Sequence, residues 1–236
     1  MKRIPFIDEM RGFALILMII QHIFYYKDVS TNYTTQYSKN HLVSTSGTIS
    51  RTLFIILVGV GLYESYINYK DEEKKYVDKR LNRALEILSH ALLITIVSHV
   101  VYPAYGIKFG VLHFIGIASL LCIHLVKFPR VVALLGFILL YFGNQIPQTG
   151  ITIIDLMLGT NGKYFMMDYF PLIKWLPYVF MGIFVAFLYH KEDARIFQNT
   201  ILENIGKKTL NIYTGHVILF MVVFKLLAGT AGVTKT

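Results

Sequence analysis

Apolar runs of membrane-spanning length recur along this chain, and short charged segments separate them. Hydropathy and charge together predict seven helical spans, at about 10–27, 48–68, 81–101, 109–126, 130–146, 173–190 and 209–228. The predicted fold class is all-α, a polytopic transmembrane helical bundle whose fifth span is short and broken by glycine. Threaded from a cytoplasmic N-terminus, Lys2, Arg3, the KDEEKKYVDKR segment, Lys127, Arg130, Lys191, Arg195, Lys207 and Lys208 gather on one side. The other side receives few basic residues, which satisfies the positive-inside rule and puts the C-terminus outside. Two outer segments, Lys27 to Gly47 and Asn144 to Pro171, are polar and Tyr-rich and long enough to cover the bundle, as lids and binding loops do.

Composition agrees, since 55% of the 236 residues are hydrophobic. No Pro/Ser/Gly-rich linker, low-complexity tract or internal repeat divides the chain, so residues 1–236 are expected to form one domain. The net charge of +9 reads as membrane topology rather than nucleic-acid binding, because it lies between the apolar runs. MKR is a basic start, but Asp8, Glu9 and Arg11 interrupt the run that follows and no small-residue cleavage site is clear, so the first run is expected to stay as a span. The single cysteine, Cys122, excludes an intrachain disulfide and a cysteine metal cluster. Nor is there an HExxH, a His/carboxylate set at ligand spacing or a P-loop, so no metal is expected.

The first span is unlike a bare lipid anchor, because it carries Asp8, Arg11 and His22. At about 100° per residue these three positions fall on one helical stripe, with His22 roughly 16 Å along the axis from Arg11. Ionisable groups within a span face a bundle interior or a wet cavity, so the stripe marks the wall of a site. His22 and His113 both sit roughly 6–8 Å inside the outer boundary. A neutral histidine there can serve as base, nucleophile or hydrogen-bond partner; a helix-crossing hydrogen bond is the plainer alternative. At the opposite end Lys79, Arg80 and Arg83 open the third span, with Arg83 expected to be the deeper arginine. Paired guanidinium groups suit phosphate, and snorkelling is the alternative. Lys207 and Lys208 read as topological. Asp168, just before Pro171, should sit at the outer mouth, where it suits a cationic or hydroxylated ligand. His216 is expected to line the cavity or pair with Tyr213, while His90 and His99 pack. Lys225 invites comparison with a retinal-binding lysine, but outward snorkelling is simpler. Asn32-Tyr33-Thr34 is an outer-facing glycosylation pattern of low specificity.

In order along the chain, RIPFIDEMRGFALILMIIQH, FIILVGVGL, KRLNRALEI, FGVLHFIGIASLL, DYFPLIKWLPYVFMGI and IGKKTLNIYTGHVILF resemble the transmembrane acyltransferase superfamily. The likeness is strongest to the heparan-alpha-glucosaminide N-acetyltransferase catalytic-domain family and its small prokaryotic members, and it covers nearly the whole chain. The resemblance implies acetyl transfer from cytosolic acetyl-CoA to an amine or hydroxyl of a sugar-type acceptor across the membrane. It implies Asp8, Arg11, His22 and His113 at the catalytic centre, and Lys79, Arg80 and Arg83 on the coenzyme. Asp168, His41 and His216 are expected on the acceptor side. In the lysosomal member the proposed catalytic histidine lies in the loop after the first helix. Here the helix supplies His22 and the loop His41, and both stay open as the catalytic group. Partners implied are acetyl-CoA, a small-molecule or glycan acceptor and membrane lipid, with no nucleic acid; a homo-oligomer is open. The implied location is the plasma membrane. The competing class is a transporter or channel with a His-lined pore, for which no inverted repeat is evident.

Overall fold

The computed structural model describes residues 4–31, 34–160, 164, 166–189 and 199–233, with side chains to 228. Lys2, Arg3, the Asn32-Tyr33 part of the glycosylation pattern, Lys191 and Arg195 lie outside the described residues. Nine α-helices are present among the described residues: α1 (Pro5–Ser30), α2 (His41–Tyr69), α3 (Glu73–Val101), α4 (Val111–Leu125), α5 (Pro129–Phe142), α6 (Thr152–Leu158), α7 (Leu172–Tyr189), α8 (Thr200–Lys207) and α9 (Thr209–Val233). No strand occurs among the described residues. The protein is an all-α bundle.

Each of the seven predicted spans meets a helix in the same order. By length and hydropathy α2, α3, α7 and the Thr209–Ala228 part of α9 can cross a membrane, and α4 is a shorter apolar helix. The span predicted at 130–146 stops sooner, at Phe142, because Gly143–Gln145 tightens into a 3₁₀ turn. Two short helices had no counterpart among the predicted spans: α6 within the long outer segment, and α8 ahead of α9. Local chemistry sets the starts. Pro5 and Pro129 occupy the first turns of α1 and α5, where a missing N–H costs nothing. The side chains of Asn40 and Asn199 accept from Leu42 N–H and from Ile201 and Leu202 N–H, capping α2 and α8.

Small residues let the helices that frame the interior approach closely. Gly59 of α2 lies on the Val179 carbonyl of α7, and Gly182 of α7 lies on the Ile56 carbonyl of α2, the close crossing that small residues allow between helices in lipid. Gly12 of α1 meets the Leu202 carbonyl and Gly206 of α8 meets the Asp8 carbonyl, so α8 is pressed along the start of α1. Ser50 of α2 donates to the Ala14 carbonyl at 2.7 Å, tying α2 to α1 in the core. Leu15, Ile55, Phe114, Val179, Ile183 and Met221 are all buried around these contacts. Outward faces are apolar: Phe137 and Tyr141 of α5 are 70% and 75% exposed, as a surface against lipid should be.

Candidate functional site

Four helices pass between two cavities. Residues Asp8 and Arg11 of α1 line a cavity of about 400 Å³ at one end, and Met18 and His22 further along α1 line one of about 70 Å³ at the other. The antiparallel neighbours agree, with Arg51 of α2 and Val111 of α4 at the small cavity and Asn68 and Ser119 at the large one.

The large cavity is basic. Asp8 and Arg11, one helical turn apart, form an ion pair at 3.2 Å, and the Arg11 guanidinium lies against Gly61 of α2, where a Cβ would displace it. Lys79, Arg80 and Arg83 of α3, Lys207 of α8 and the buried carboxylate of Glu64 of α2 complete the charged wall, in which basic groups outnumber acidic ones. Lys79 donates to the Tyr69 hydroxyl at 3.1 Å. Arg80, not Arg83, is the deeper arginine. Its Nε is buried without a hydrogen-bond partner, whereas the Arg83 side chain is 44% exposed and bound to Glu86 at 2.7 Å. Burying that charge is costly, and the like charges of Arg11 and Arg83 on the same cavity add to the cost. An anion would relieve both penalties. Lys207, read in the sequence as topological, lines this cavity and pairs with Glu203 at 2.6 Å.

The small cavity holds His22, and the hydrogen bonds behind the ring determine its tautomer. His216 Nδ1 lies 2.9 Å from the Ile212 carbonyl. A carbonyl can only accept, so this nitrogen carries the hydrogen and Nε2 of the neutral ring is an acceptor. His22 Nδ1 lies 2.9 Å from that Nε2 and therefore donates to it. The hydrogen of neutral His22 is thus on Nδ1, and its Nε2 lone pair accepts no hydrogen bond among the described residues. The two imidazoles stack at 5.2 Å, and Tyr26 and Tyr213 set their edges against His22, which holds the ring in place.

Asp168 and Arg51 face the same small cavity. Val111 N–H, at the start of α4, donates to Asp168 Oδ2 at 2.9 Å, and Gly110 leaves room for that oxygen. Burial pushes the Asp168 carboxyl up to about 6, with the Val111 N–H and the Arg51 charge pulling against it. Arg51 has a buried, unpartnered Nε and a 3.5 Å contact to Thr48. Sequence reasoning missed it, although an arginine three residues inside the span predicted at 48–68 obeys the same rule that singled out Arg11 and His22.

Three expected site residues lie elsewhere. His113 caps α4: its Nδ1 accepts from Gly110 N–H at 3.3 Å, which leaves the hydrogen on Nε2 to bond Thr95 at 3.2 Å. Equal depth in the bundle did not bring it to His22, because it faces α3 instead. His216 stands behind His22 rather than on the cavity wall, its ring committed on both nitrogens and set edge-on to Tyr213 at 5.3 Å, the pairing expected as the alternative. His41 is exposed at the start of α2 and lines neither cavity. His90 and His99 are hydrogen-bonded inside the bundle, to Thr214 and to the Thr95 carbonyl, and the Lys225 ammonium lies over the Tyr102 ring at 5.2 Å.

Comparison with known proteins bears on this arrangement. The sequence model of the family described as "Heparan-alpha-glucosaminide N-acetyltransferase, catalytic" matches residues 3–218, a stretch that includes both cavities. No curated protein and no solved structure matches the chain. The family match, covering most of the 236 residues, makes the protein an integral-membrane acyltransferase: the chain belongs to the heparan-alpha-glucosaminide N-acetyltransferase catalytic-domain family.

Proposed function

We propose that the protein moves an acetyl group from acetyl-CoA to an amine or hydroxyl of a sugar-type acceptor, within one integral-membrane domain of the plasma membrane. The observation that carries this reading is the Nε2 acceptor of His22 at a cavity shared with Asp168, one side chain away from a basic cavity. The coenzyme phosphates lie against Arg80, Arg83, Lys79 and Lys207, which offer charge-assisted hydrogen bonds. The basic cavity, at about 400 Å³, falls in the size range of small-molecule sites. The pantetheine arm runs along α1 toward His22. The acceptor enters at the other end, where Asp168 holds an ammonium or a hydroxyl and Arg51 supplies a second polar contact.

The chemistry follows from the tautomer. An acceptor that arrives as an ammonium first loses one proton to water at the mouth; the neutral amine or the hydroxyl then attacks the thioester carbon while His22 Nε2 takes a proton from it, the C–S bond breaks, and that proton passes to the departing thiolate. His216 and the Ile212 carbonyl steady the positive charge that builds on His22, and no charged partner is needed for that.

Purified protein incubated with labelled acetyl-CoA and a panel of amino sugars tests the reading. Label is expected on the acceptor with the native protein and not with His22→Ala, which should still bind CoA. Arg80→Ala should raise the CoA dissociation constant roughly tenfold, and more than Arg83→Ala does, as the loss of hydrogen bonds to a charged ligand predicts. Turnover that survives His22→Ala and is lost in His41→Ala would move the base to the loop. Absence of transfer to any acceptor would sink the reading.

A further inference from the structure

α9 passes along both cavities on one face. Thr209, Leu210 and Tyr213 line the large cavity and Tyr213 and Val217 the small one, positions three to four apart as a helical face requires. Among the described residues Tyr213 alone borders both. The residue is 4% exposed, and its ring meets His22 at 6.2 Å and His216 at 5.3 Å, both edge-on. The phenol makes no hydrogen bond among the described residues, yet it is absent from the polar atoms sealed away from any cavity. A buried tyrosine hydroxyl usually finds a partner. One left open at the junction of two cavities, beside a base, is a donor set up for a ligand.

We infer that Tyr213 is a catalytic residue whose hydroxyl donates a hydrogen bond to the carbonyl oxygen of the acetyl thioester. This rests on the acetyl-CoA reading above. An acyl group delivered from the basic cavity to His22 must pass Tyr213, and its oxygen gains negative charge when the acceptor adds to the carbon. The Tyr213 O–H stabilises that oxyanion and keeps its proton. When the tetrahedral intermediate collapses, the C=O bond re-forms, the C–S bond breaks, and the thiolate collects the proton that His22 took from the acceptor. No net transfer involves the phenol. His113, which the family resemblance put at the catalytic centre, is bonded to Gly110 and Thr95, so the vacant donor is on α9.

Tyr213→Phe tests this with the ring packing kept. The turnover rate with acetyl-CoA and a competent amino-sugar acceptor should fall roughly 10²- to 10³-fold, the usual effect of removing one oxyanion donor. CoA binding, measured separately, should stay within about twofold, because the hydrogen bond strengthens only as charge develops. Fluorotyrosines placed at 213 keep the hydroxyl and alter its acidity, so the rate should track phenol acidity. A Tyr213→Phe rate within a factor of about two of the native rate, or a loss matched by an equal loss of CoA affinity, would overturn the assignment, as would a rate indifferent to fluorination. Native protein that transfers acetyl groups while Tyr213→Phe does so equally well defeats this inference alone. Native protein that transfers none defeats the reading beneath it.

Discussion

At the scale of single residues, the most consequential contact is the one behind His22. His216 fixes the ring by a 2.9 Å bond and is itself fixed by the Ile212 carbonyl at 2.9 Å. Removing it frees His22 to rotate and to adopt the other tautomer, with Nε2 protonated and useless as a base. His216→Ala should therefore lower the turnover rate, by roughly 10- to 100-fold for a misoriented general base, while CoA affinity is unchanged; equal losses in both would mean that the variant only loosens the bundle. Asp168 supplies a pH dependence. Its carboxyl, pushed up to about 6 by burial, becomes ionised as pH rises through that value, and the ionised form is the one that accepts from an ammonium or hydroxyl. Acceptor kcat/KM should accordingly fall below about pH 6, by about tenfold per unit, and Asp168→Asn should remove that limb while leaving any due to His22. A pH profile unaltered in Asp168→Asn would take the residue out of acceptor binding.

At the scale of elements, α8 determines whether the basic cavity keeps its shape. Gly206 lies on the Asp8 carbonyl and Gly12 on the Leu202 carbonyl, so the helix backbones touch directly and no side chain can yield. Gly206→Ala should push α8 off α1 and cost about 1–3 kcal/mol, the range for overpacked interiors. It should also weaken CoA binding, since Lys207 and Asp8 flank the contact and line the cavity. The melting temperature in detergent and the CoA dissociation constant should move together; an unchanged melting temperature would show that the two helices can separate freely. In the sequence α8 was hidden. Its eight residues lie in a basic segment that reads as an inner loop, and the asparagine cap at 199 precedes too few apolar positions to announce a helix. The fifth span was overextended for the related reason that apolar Ile146 continues past the turn at Gly143.

At the scale of the whole molecule, the two ends of the bundle differ in chemistry, with arginines and lysines at one and His22 with Asp168 at the other. Coenzyme A is charged and does not cross lipid, so if the N-terminus is cytoplasmic, as the charge asymmetry predicts, the basic cavity opens inward, the acceptor mouth opens outward, and transfer must run through the bundle. In sealed, oriented vesicles, acetyl-CoA should support turnover only from the face bearing the KDEEKKYVDKR segment, with acceptor acetylated on the other face. Turnover at the same rate with both substrates confined to the inner face would leave an ordinary inward-facing transferase.

Hydrophobic period, charge asymmetry and ordered motifs were enough to read the all-α class, the order of the seven long helices and the Asp8–Arg11–His22 stripe, because helical periodicity and the cost of a charge in lipid act within a single segment. Lys79, Arg80 and Asp168 stood out as charges just before the starts of spans, and each lines a cavity. Partners were not legible. Nothing in the spacing of His22, His113 and His216 says that the third rather than the second holds the first, since that depends on how α9 is rotated against α1. Nor does spacing bury Arg80 and expose Arg83, or leave the Tyr213 hydroxyl open between two cavities. Those outcomes come from the close crossings at glycine and from which faces of neighbouring helices meet, and only the packed bundle decides them.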